Sequence, residues 1–103
     1  MWVVMNDALL SIVADRVDHG RLLVRARAPG DLERVFPDAV VEETPSRDYR
    51  FRARLPRTAV AQVIAARLEA IDYGNFKASV ADDHRRDVYH HVWQDLRQLQ
   101  HHG

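Results

Sequence analysis

Five arginines in this sequence alternate with apolar or aromatic residues, in two separate segments. They are Arg25, Arg27, Arg50, Arg52 and Arg54. Because successive side chains of a β-strand point to opposite faces of the sheet, each segment predicts a strand with one apolar face and one cationic face. Guanidinium groups are planar donors of several hydrogen bonds, and they suit carboxylate or phosphate groups. If both strands share a sheet, the five arginines form a partner-binding surface.

Two other interpretations of the arginine pattern stay open. Nucleic acid could bind such a face, but recognition of bases calls for exposed aromatic rings among the arginines, and the alternation predicts that Tyr49 and Phe51 point inward. The face could instead be ordinary solvated surface, since Glu42 and Glu43 precede the second segment and lie within reach of its arginines. The position of those carboxylates therefore separates a binding surface from simple architecture.

A second candidate site is a ribbon of acidic and imidazole side chains along the edge of the last predicted helix. Its members are His84, Asp87, His91 and Asp95. One-turn spacing lets neighbouring side chains share a divalent cation, or lets a carboxylate orient an imidazole for proton transfer. The zinc-protease pattern H-E-x-x-H is absent. A metal- or His/Asp-dependent hydrolase is thus an alternative, while the preferred interpretation assigns no catalytic residue, no metal ligand and no cofactor.

Composition limits the classes of function. The chain has 103 residues, 47% of them hydrophobic, which is enough for one core and predicts a single domain over residues 1–103. Its 15 basic and 15 acidic side chains cancel, so no overall positive field drives nonspecific binding of nucleic acid. Cysteine is absent, which excludes disulfides and thiol catalysis, and no segment has the features of a signal peptide or a membrane span. These features predict a cytoplasmic protein without a membrane partner.

Turn residues and hydrophobic periodicity predict an α+β fold in the order β-β-β-α-β-β-α-α. Strands are predicted at residues 2–5, 8–14, 21–27, 40–43 and 49–55. Helices are predicted at residues 31–36, 58–71 and about 82–100, with a linker at 76–81. An antiparallel sheet of four or five strands would carry the two long helices on one face.

Each of the two long helices has an apolar face that is expected to pack on the sheet. In the first, the apolar residues recur at three- and four-residue spacing. They are Val60, Val63, Ile64, Leu68 and Ile71. In the second, the corresponding arc consists of Val88, Tyr89, Val92, Trp93, Leu96 and Leu99. Burial of Ile64 and Leu68 in particular is expected to stabilise the domain.

Three segments of the chain resemble a family of short bacterial and mobile-element proteins that begin with Met-Trp. The segments are Val41–Pro45, Ile71–Lys77 and Asp87–Trp93. The second differs from the family's usual I-D-Y-P-N-F-K at Gly74, which replaces a proline. The family has no assigned activity, so the resemblance implies a cytoplasmic single-domain protein and assigns no catalytic residue. Size and kinship also suggest an inhibitor of a host defence complex, such as a CRISPR effector.

The preferred function is a non-enzymatic binding or regulatory protein whose arginine-rich sheet face contacts an acidic protein surface. Segregated charge is visible in the sequence, whereas a catalytic motif is not. RNA or DNA binding is the second alternative and the hydrolase is the third. The sequence leaves open whether the free sheet face is the interface of a homodimer.

Overall fold

The computed structural model describes residues 1–102, which divide between two compact units. The first unit comprises residues 1–72, and the second begins at Tyr73. The strands are β1 Trp2–Val4, β2 Leu9–Ala14, β3 Arg21–Ala26, β4 Glu42–Glu43 and β5 Phe51–Pro56. The helices are α1 Asp31–Val35, α2 Arg57–Glu69, α3 Phe76–Ser79 and α4 Asp83–His102. The single domain expected from the chain length stays a prediction.

The five strands form one antiparallel sheet in the order β1-β2-β3-β5-β4. This confirms the predicted α+β class and the predicted succession of elements, with one addition. The segment expected to be a linker contains the one-turn helix α3. This helix forms because the Asn75 side chain accepts a hydrogen bond from the Ala78 amide at 2.9 Å and caps the turn.

A two-residue turn sets the register of the first hairpin. The Met5 amide donates to the Ala8 carbonyl at 2.8 Å, which closes the turn between β1 and β2. Pairing outward from this turn brings Trp2 opposite Ser11. The side chain of Trp2 therefore lies on the same face of the sheet as that of Ser11.

Helices α1 and α2 pack on one face of the sheet and close the core. Every second residue of the central strands points to this face, where α1 contacts β2, β3 and β5 and α2 contacts β3 and β5. The core residues are Ala8, Leu10, Ile12, Val24, Ala26, Leu32, Val35, Phe36, Ala53 and Val60. Phe51 packs against this cluster, as the alternation predicted. Gly30 leads the chain into α1 with a φ of 86°, a left-handed conformation that disfavours any residue with a Cβ.

The outer half of α2 does not bury the side chains that the sequence predicted. Val60 and Ile64 pack in or against the core. Two residues of the predicted apolar face are exposed: the exposed fraction is 64% for Leu68 and 48% for Ile71, which follows the end of α2. The prediction for Leu68 was wrong because the last turns of α2 direct Arg67, rather than Leu68, toward the rest of the unit. The Arg67 guanidinium donates to the Asp7 carboxylate at 2.8 Å.

A network of charged side chains ties the first hairpin turn to both helices of this unit. Asp31, at the start of α1, is fully buried and accepts hydrogen bonds from the Leu9 amide and from Arg34, each at 3.0 Å. Arg34 also donates to the Asp7 carbonyl at 2.7 Å, and Arg67 donates to the Arg34 carbonyl at 3.3 Å. We call Asp7, Asp31, Arg34 and Arg67 the hairpin-turn cluster. Its arginines direct their hydrogen bonds to oxygen atoms of their own unit.

The second unit consists of α3, α4 and the residues that flank them. The rings of Phe76 and Tyr89 stack with centroids 5.9 Å apart, and Val80 is 1% exposed. The Asp82 carboxylate accepts a hydrogen bond from the Arg85 amide at 2.9 Å. This bond caps α4 and holds the pKa of Asp82 below its ordinary value.

The apolar arc predicted for α4 is buried at one position, Tyr89, and exposed at four others. Tyr89 is 9% exposed. The exposed members are Val88 at 43%, Trp93 at 50%, Leu96 at 53% and Leu99 at 72%. Packing of this arc on the sheet stays a prediction. Within residues 1–102, no helix combines the length and the apolar character needed to cross a membrane.

Candidate functional site

One row of side chains crosses the sheet on the face opposite the core. Strand pairing places Trp2 opposite Ser11, Ser11 opposite Arg25, Arg25 opposite Arg52, and Arg52 opposite Glu42. Directly paired residues share a face of the sheet, so these five side chains lie in line. We call this side of the sheet the arginine face.

Arg27 and Arg54 extend the cationic part of this row. Arg54 is two residues from Arg52 on β5 and therefore points to the same face. Arg27 directly follows β3, and its guanidinium, like that of Arg25, lies over the Tyr49 ring. The arginine face thus brings together four of the arginines that the sequence predicted to share a surface.

Arg50 departs from the other four arginines. Its Nε and Nη2 atoms both lie 2.7 Å from Oε1 of Glu43. Glu43 pairs with Phe51, whose side chain packs against the core, and the Arg50 guanidinium lies 5.8 Å from the centroid of the Phe51 ring. Arg50 therefore bends toward the edge of the sheet, away from the row that contains Arg25 and Arg52.

Carboxylates neutralise two arginines of the face. The Arg27 guanidinium lies 2.5 Å from the Asp48 carboxylate. This hydrogen bond raises the pKa of Arg27 and lowers the pKa of Asp48 relative to their ordinary values. Arg54 lies 3.7 Å from the Asp15 carboxylate and 3.8 Å from that of Glu42. Such pairs agree with the architectural interpretation. The pairs with Asp48 and Glu42 are exposed and contribute little to stability, whereas the Asp15 carboxylate is buried.

Arg25 and Arg52 form no ion pair with any carboxylate of residues 1–102. Arg25 donates from Nη2 to the Ser11 hydroxyl at 2.8 Å. Arg52 donates to the Thr44 hydroxyl at 3.3 Å and to the Asp48 carbonyl at 3.0 Å. The two guanidiniums extend from directly opposed positions of β3 and β5, where like charges repel. Desolvation, followed by the charges of neighbouring arginines, lowers the pKa of Arg52 below its ordinary value.

Tyr49 does not point to the core, so the prediction for this residue was wrong. Its φ of 59° lies in the left-handed region, and the residue therefore leaves the strand alternation just before β5. Its ring contacts the guanidinium carbons of Arg25 and Arg27, at 4.6 and 4.1 Å from the ring centroid. A left-handed backbone costs a residue of this type on the order of 1–3 kcal/mol, which the surrounding contacts must offset. Cation–π attraction is one such contact.

The other end of the row is apolar. Trp2 is 67% exposed, and Val4 on the same short edge strand is 43% exposed. Leu9, Val13 and Leu23 point to the same face and are half-buried. Aromatic residues and arginines are enriched in protein interfaces and among the residues that contribute most to binding.

The His/Asp ribbon predicted on α4 has its four side chains exposed on the helix surface. The Nδ1 atom of His91 lies 2.8 Å from the backbone carbonyl of Asp87, one turn earlier. In the part of the chain that the structure describes, no group of three or more His, Asp or Glu residues is placed to hold a metal ion. A hydrolase based on this ribbon stays an untested alternative.

Sequence reasoning missed three residues of the arginine face: Trp2, Ser11 and Tyr49. A signal for Trp2 and Ser11 was present, because a two-residue turn between Met5 and Ala8 fixes which residues of the hairpin oppose each other. Tyr49 gave no such signal, since alternation alone assigns it to the core side. Its left-handed backbone is decided by the loop that joins β4 to β5.

The chain matches no protein-family model, no curated protein and no solved structure. The resemblance to the family of Met-Trp proteins therefore stays a prediction based on three short segments. A fold class alone does not imply a function. Function must be inferred from the chemistry of the arginine face itself.

Proposed function

We propose that this protein is a non-enzymatic binding module that contacts an acidic protein partner through the arginine face. One observation carries the proposal: Arg25 pairs with Arg52 across β3 and β5, and neither forms an ion pair within residues 1–102. Holding two guanidiniums side by side costs free energy through mutual repulsion. A carboxylate of a partner removes that repulsion and accepts charge-assisted hydrogen bonds.

The neighbours of this pair define the chemistry of the partner. The partner presents carboxylates to Arg25 and Arg52 and apolar side chains to Trp2 and Val4, which lie toward the other end of the face. Charge complementarity of this kind favours correct partners and speeds association. A regulatory role, including inhibition of a host defence complex, would use the same contact.

Binding of RNA or DNA is the second candidate, and the position of Tyr49 favours it. Its ring lies among the arginines, and Trp2 adds an exposed ring on the same face. Stacking of bases on such rings stabilises single-stranded nucleic acid. We rank it second because two guanidiniums already lie against the Tyr49 ring, and because the chain has no net positive charge.

A photo-crosslinking residue on the face tests the first candidate. Benzoylphenylalanine replaces Val13, which points to the arginine face, in a protein irradiated in nuclease-treated extract of the native host. The expected product joins the benzoylphenylalanine at position 13 to a protein segment in which Asp or Glu flanks apolar residues. Mass spectrometry identifies this segment. The same replacement at Gln62, an exposed residue of α2, is the positional control.

Two charge reversals complete the design. Arg52→Glu is expected to abolish the crosslink, because like charges at a complementary interface cost several kcal/mol. Arg16→Glu changes the net charge equally but lies in the turn after β2, and it is expected to leave the crosslink intact. Equal loss in both variants, a crosslink to a second copy of the chain, or a crosslink that requires untreated nucleic acid would each overturn the acidic-protein proposal.

A further inference from the structure

The charge left over on the arginine face is concentrated in one place. Arg27 has Asp48 as its carboxylate partner, and Arg54 has Asp15 and Glu42. Arg25 and Arg52 form no ion pair within residues 1–102, although they occupy directly opposed positions. Glu42 also lies opposite Arg52, but its carboxylate forms its ion pair with Arg54. The guanidiniums of Arg25 and Arg52 therefore lie in the middle of the row without an ion pair of their own in the part of the chain that the structure describes.

The same two side chains also keep unused hydrogen-bond donors. A guanidinium has five N–H groups. Within residues 1–102, Arg25 donates one hydrogen bond, to the Ser11 hydroxyl. Its Nε also lacks an acceptor there, but this atom is buried and is not offered to a ligand. Arg52 donates two, to the Thr44 hydroxyl and to the Asp48 carbonyl. The acceptors are neutral oxygens in all three bonds, so the contacts position the guanidiniums without cancelling their charge.

We infer that the Arg25–Arg52 pair is a binding site for a phosphate monoester group carried by a side chain of the protein partner, an inference that rests on the proposed function. A single carboxylate balances one of the two guanidiniums. A phosphorylated side chain has a charge of about −1.5 to −2 near neutral pH and three acceptor oxygens, so it matches both. A guanidinium frequently binds phosphate through two parallel hydrogen bonds.

Contacts within the unit hold Arg25 in place before any ligand arrives. Its guanidinium lies 4.6 Å from the centroid of the Tyr49 ring on one side and donates to Ser11, which is 3% exposed, on the other. A side chain fixed in this way loses less conformational freedom on binding than a mobile one. Arg52 is held by the two hydrogen bonds from its guanidinium to Thr44 and Asp48, which lie in the segment between β4 and β5.

Anion titrations followed by NMR test this inference. Phenyl phosphate, inorganic phosphate and acetate are added separately at constant ionic strength, and the Nε–H resonances of the arginines are recorded. Both phosphates are expected to bind at least tenfold more tightly than acetate and to shift Arg52 most. Arg52→Gln is expected to weaken phosphate binding at least tenfold. Arg50→Gln, which removes an arginine that already pairs with Glu43, is expected to leave it unchanged.

The outcomes separate this inference from the proposed function. The phosphate site would be overturned if phosphate and acetate bound with equal affinity. It would also be overturned if Arg52→Gln and Arg50→Gln weakened phosphate binding equally. The crosslink from Val13 to an acidic protein segment would still stand in that case. Selective phosphate binding without a Val13 crosslink would instead overturn the acidic partner while keeping the anion site. Circular dichroism of each variant confirms that loss of binding is not loss of folding.

Discussion

Arginine has different hydrogen-bond partners in two regions of the first unit. In the hairpin-turn cluster, Arg34 and Arg67 donate to the carboxylates of Asp31 and Asp7 and to nearby carbonyls. On the arginine face, Arg25 and Arg52 donate to hydroxyl and carbonyl groups only. The cluster is balanced in charge within the unit, whereas the pair on the face is not.

The contrast shows what arginine content alone does not. The cluster includes Asp31, a fully buried carboxylate that would be costly without its donors, so its arginine has a structural task. The pair on the face has no such carboxylate to serve, and its repulsion works against folding. Charge that is matched internally indicates architecture, while the pair on the arginine face, which has no ion pair within residues 1–102, is the basis of the proposed contact with a partner.

Among the substitutions considered, Asp31→Ala is expected to lower the free energy of unfolding the most. Removing this buried carboxylate leaves the Leu9 amide without its acceptor, and Arg34 keeps the Asp7 carbonyl but loses its carboxylate partner. Leaving a buried donor unsatisfied costs about 1–3 kcal/mol, so the free energy of unfolding should fall by that amount in urea denaturation. Arg52→Ala, on the arginine face, should change it by no more than about 0.5 kcal/mol, as surface substitutions usually do.

Asp31→Asn is the matched control for this result, since it keeps an acceptor for the Leu9 amide but removes the charge and the oxygen that accepts from Arg34. Its stability should lie between those of the wild type and Asp31→Ala. An Asp31→Ala protein as stable as the wild type, or an Arg52→Ala protein that loses as much as Asp31→Ala, would erase the distinction between the two regions.

Double-mutant cycles sharpen the comparison on the face itself. Arg25→Gln and Arg52→Gln, alone and together, should reveal a repulsive coupling of about 0.2–1 kcal/mol, because like charges at opposed strand positions destabilise a sheet. The cycle of Arg50→Gln with Glu43→Gln should reveal an attractive coupling of about 0.2–1 kcal/mol, typical of exposed ion pairs. Both are measured as free energies of unfolding.

The sign of the coupling is what matters in these cycles. An attractive coupling between Arg25 and Arg52 would mean that a carboxylate already lies between them in solution. In that case the pair would resemble the hairpin-turn cluster, and the surface would have no unbalanced charge to offer a partner.

The fold was predictable because its signals are local. Alternation in β3 and β5, the turn after Met5 and the apolar spacing that starts at Val60 each act over a few residues. Leu68 was mispredicted because the spacing of apolar residues does not reveal that Arg67 reaches the Asp7 carboxylate in the first hairpin turn. Contacts between distant segments outweighed helix periodicity there.

The candidate site was predictable in its composition but not in its pairing. Alternation indicates that Arg25 and Arg52 point away from the core, yet it says nothing of which residues oppose each other across two strands. That register depends on nonlocal hydrogen bonding between β3 and β5. Tyr49 was beyond sequence reasoning for a related reason, since a left-handed tyrosine is disfavoured by its own backbone and is kept only by its surroundings.

The smallest expected effect is the pH dependence of the ion pair between Arg27 and Asp48 at the edge of the arginine face. The hydrogen bond from Arg27 lowers the pKa of Asp48 in the folded protein below its ordinary value of 3.8. A carboxyl group of this kind stabilises the fold above its unfolded pKa, and that contribution is lost as the pH falls through the folded pKa. In an NMR titration of the side-chain carboxyl carbons, the Asp48 midpoint should therefore lie below 3.8.

Arg27→Gln should return the Asp48 midpoint toward 3.8, because the main cause of the shift has been removed. Asp82 is the internal control: its pKa is lowered chiefly by the Arg85 amide, so its midpoint should stay low in the same variant. An Asp48 midpoint that does not respond to Arg27→Gln would show that this pair is open in solution. Arg27 would then join Arg25 and Arg52 as unbalanced charge, and the cationic surface offered to a partner would be larger than the structure assigns.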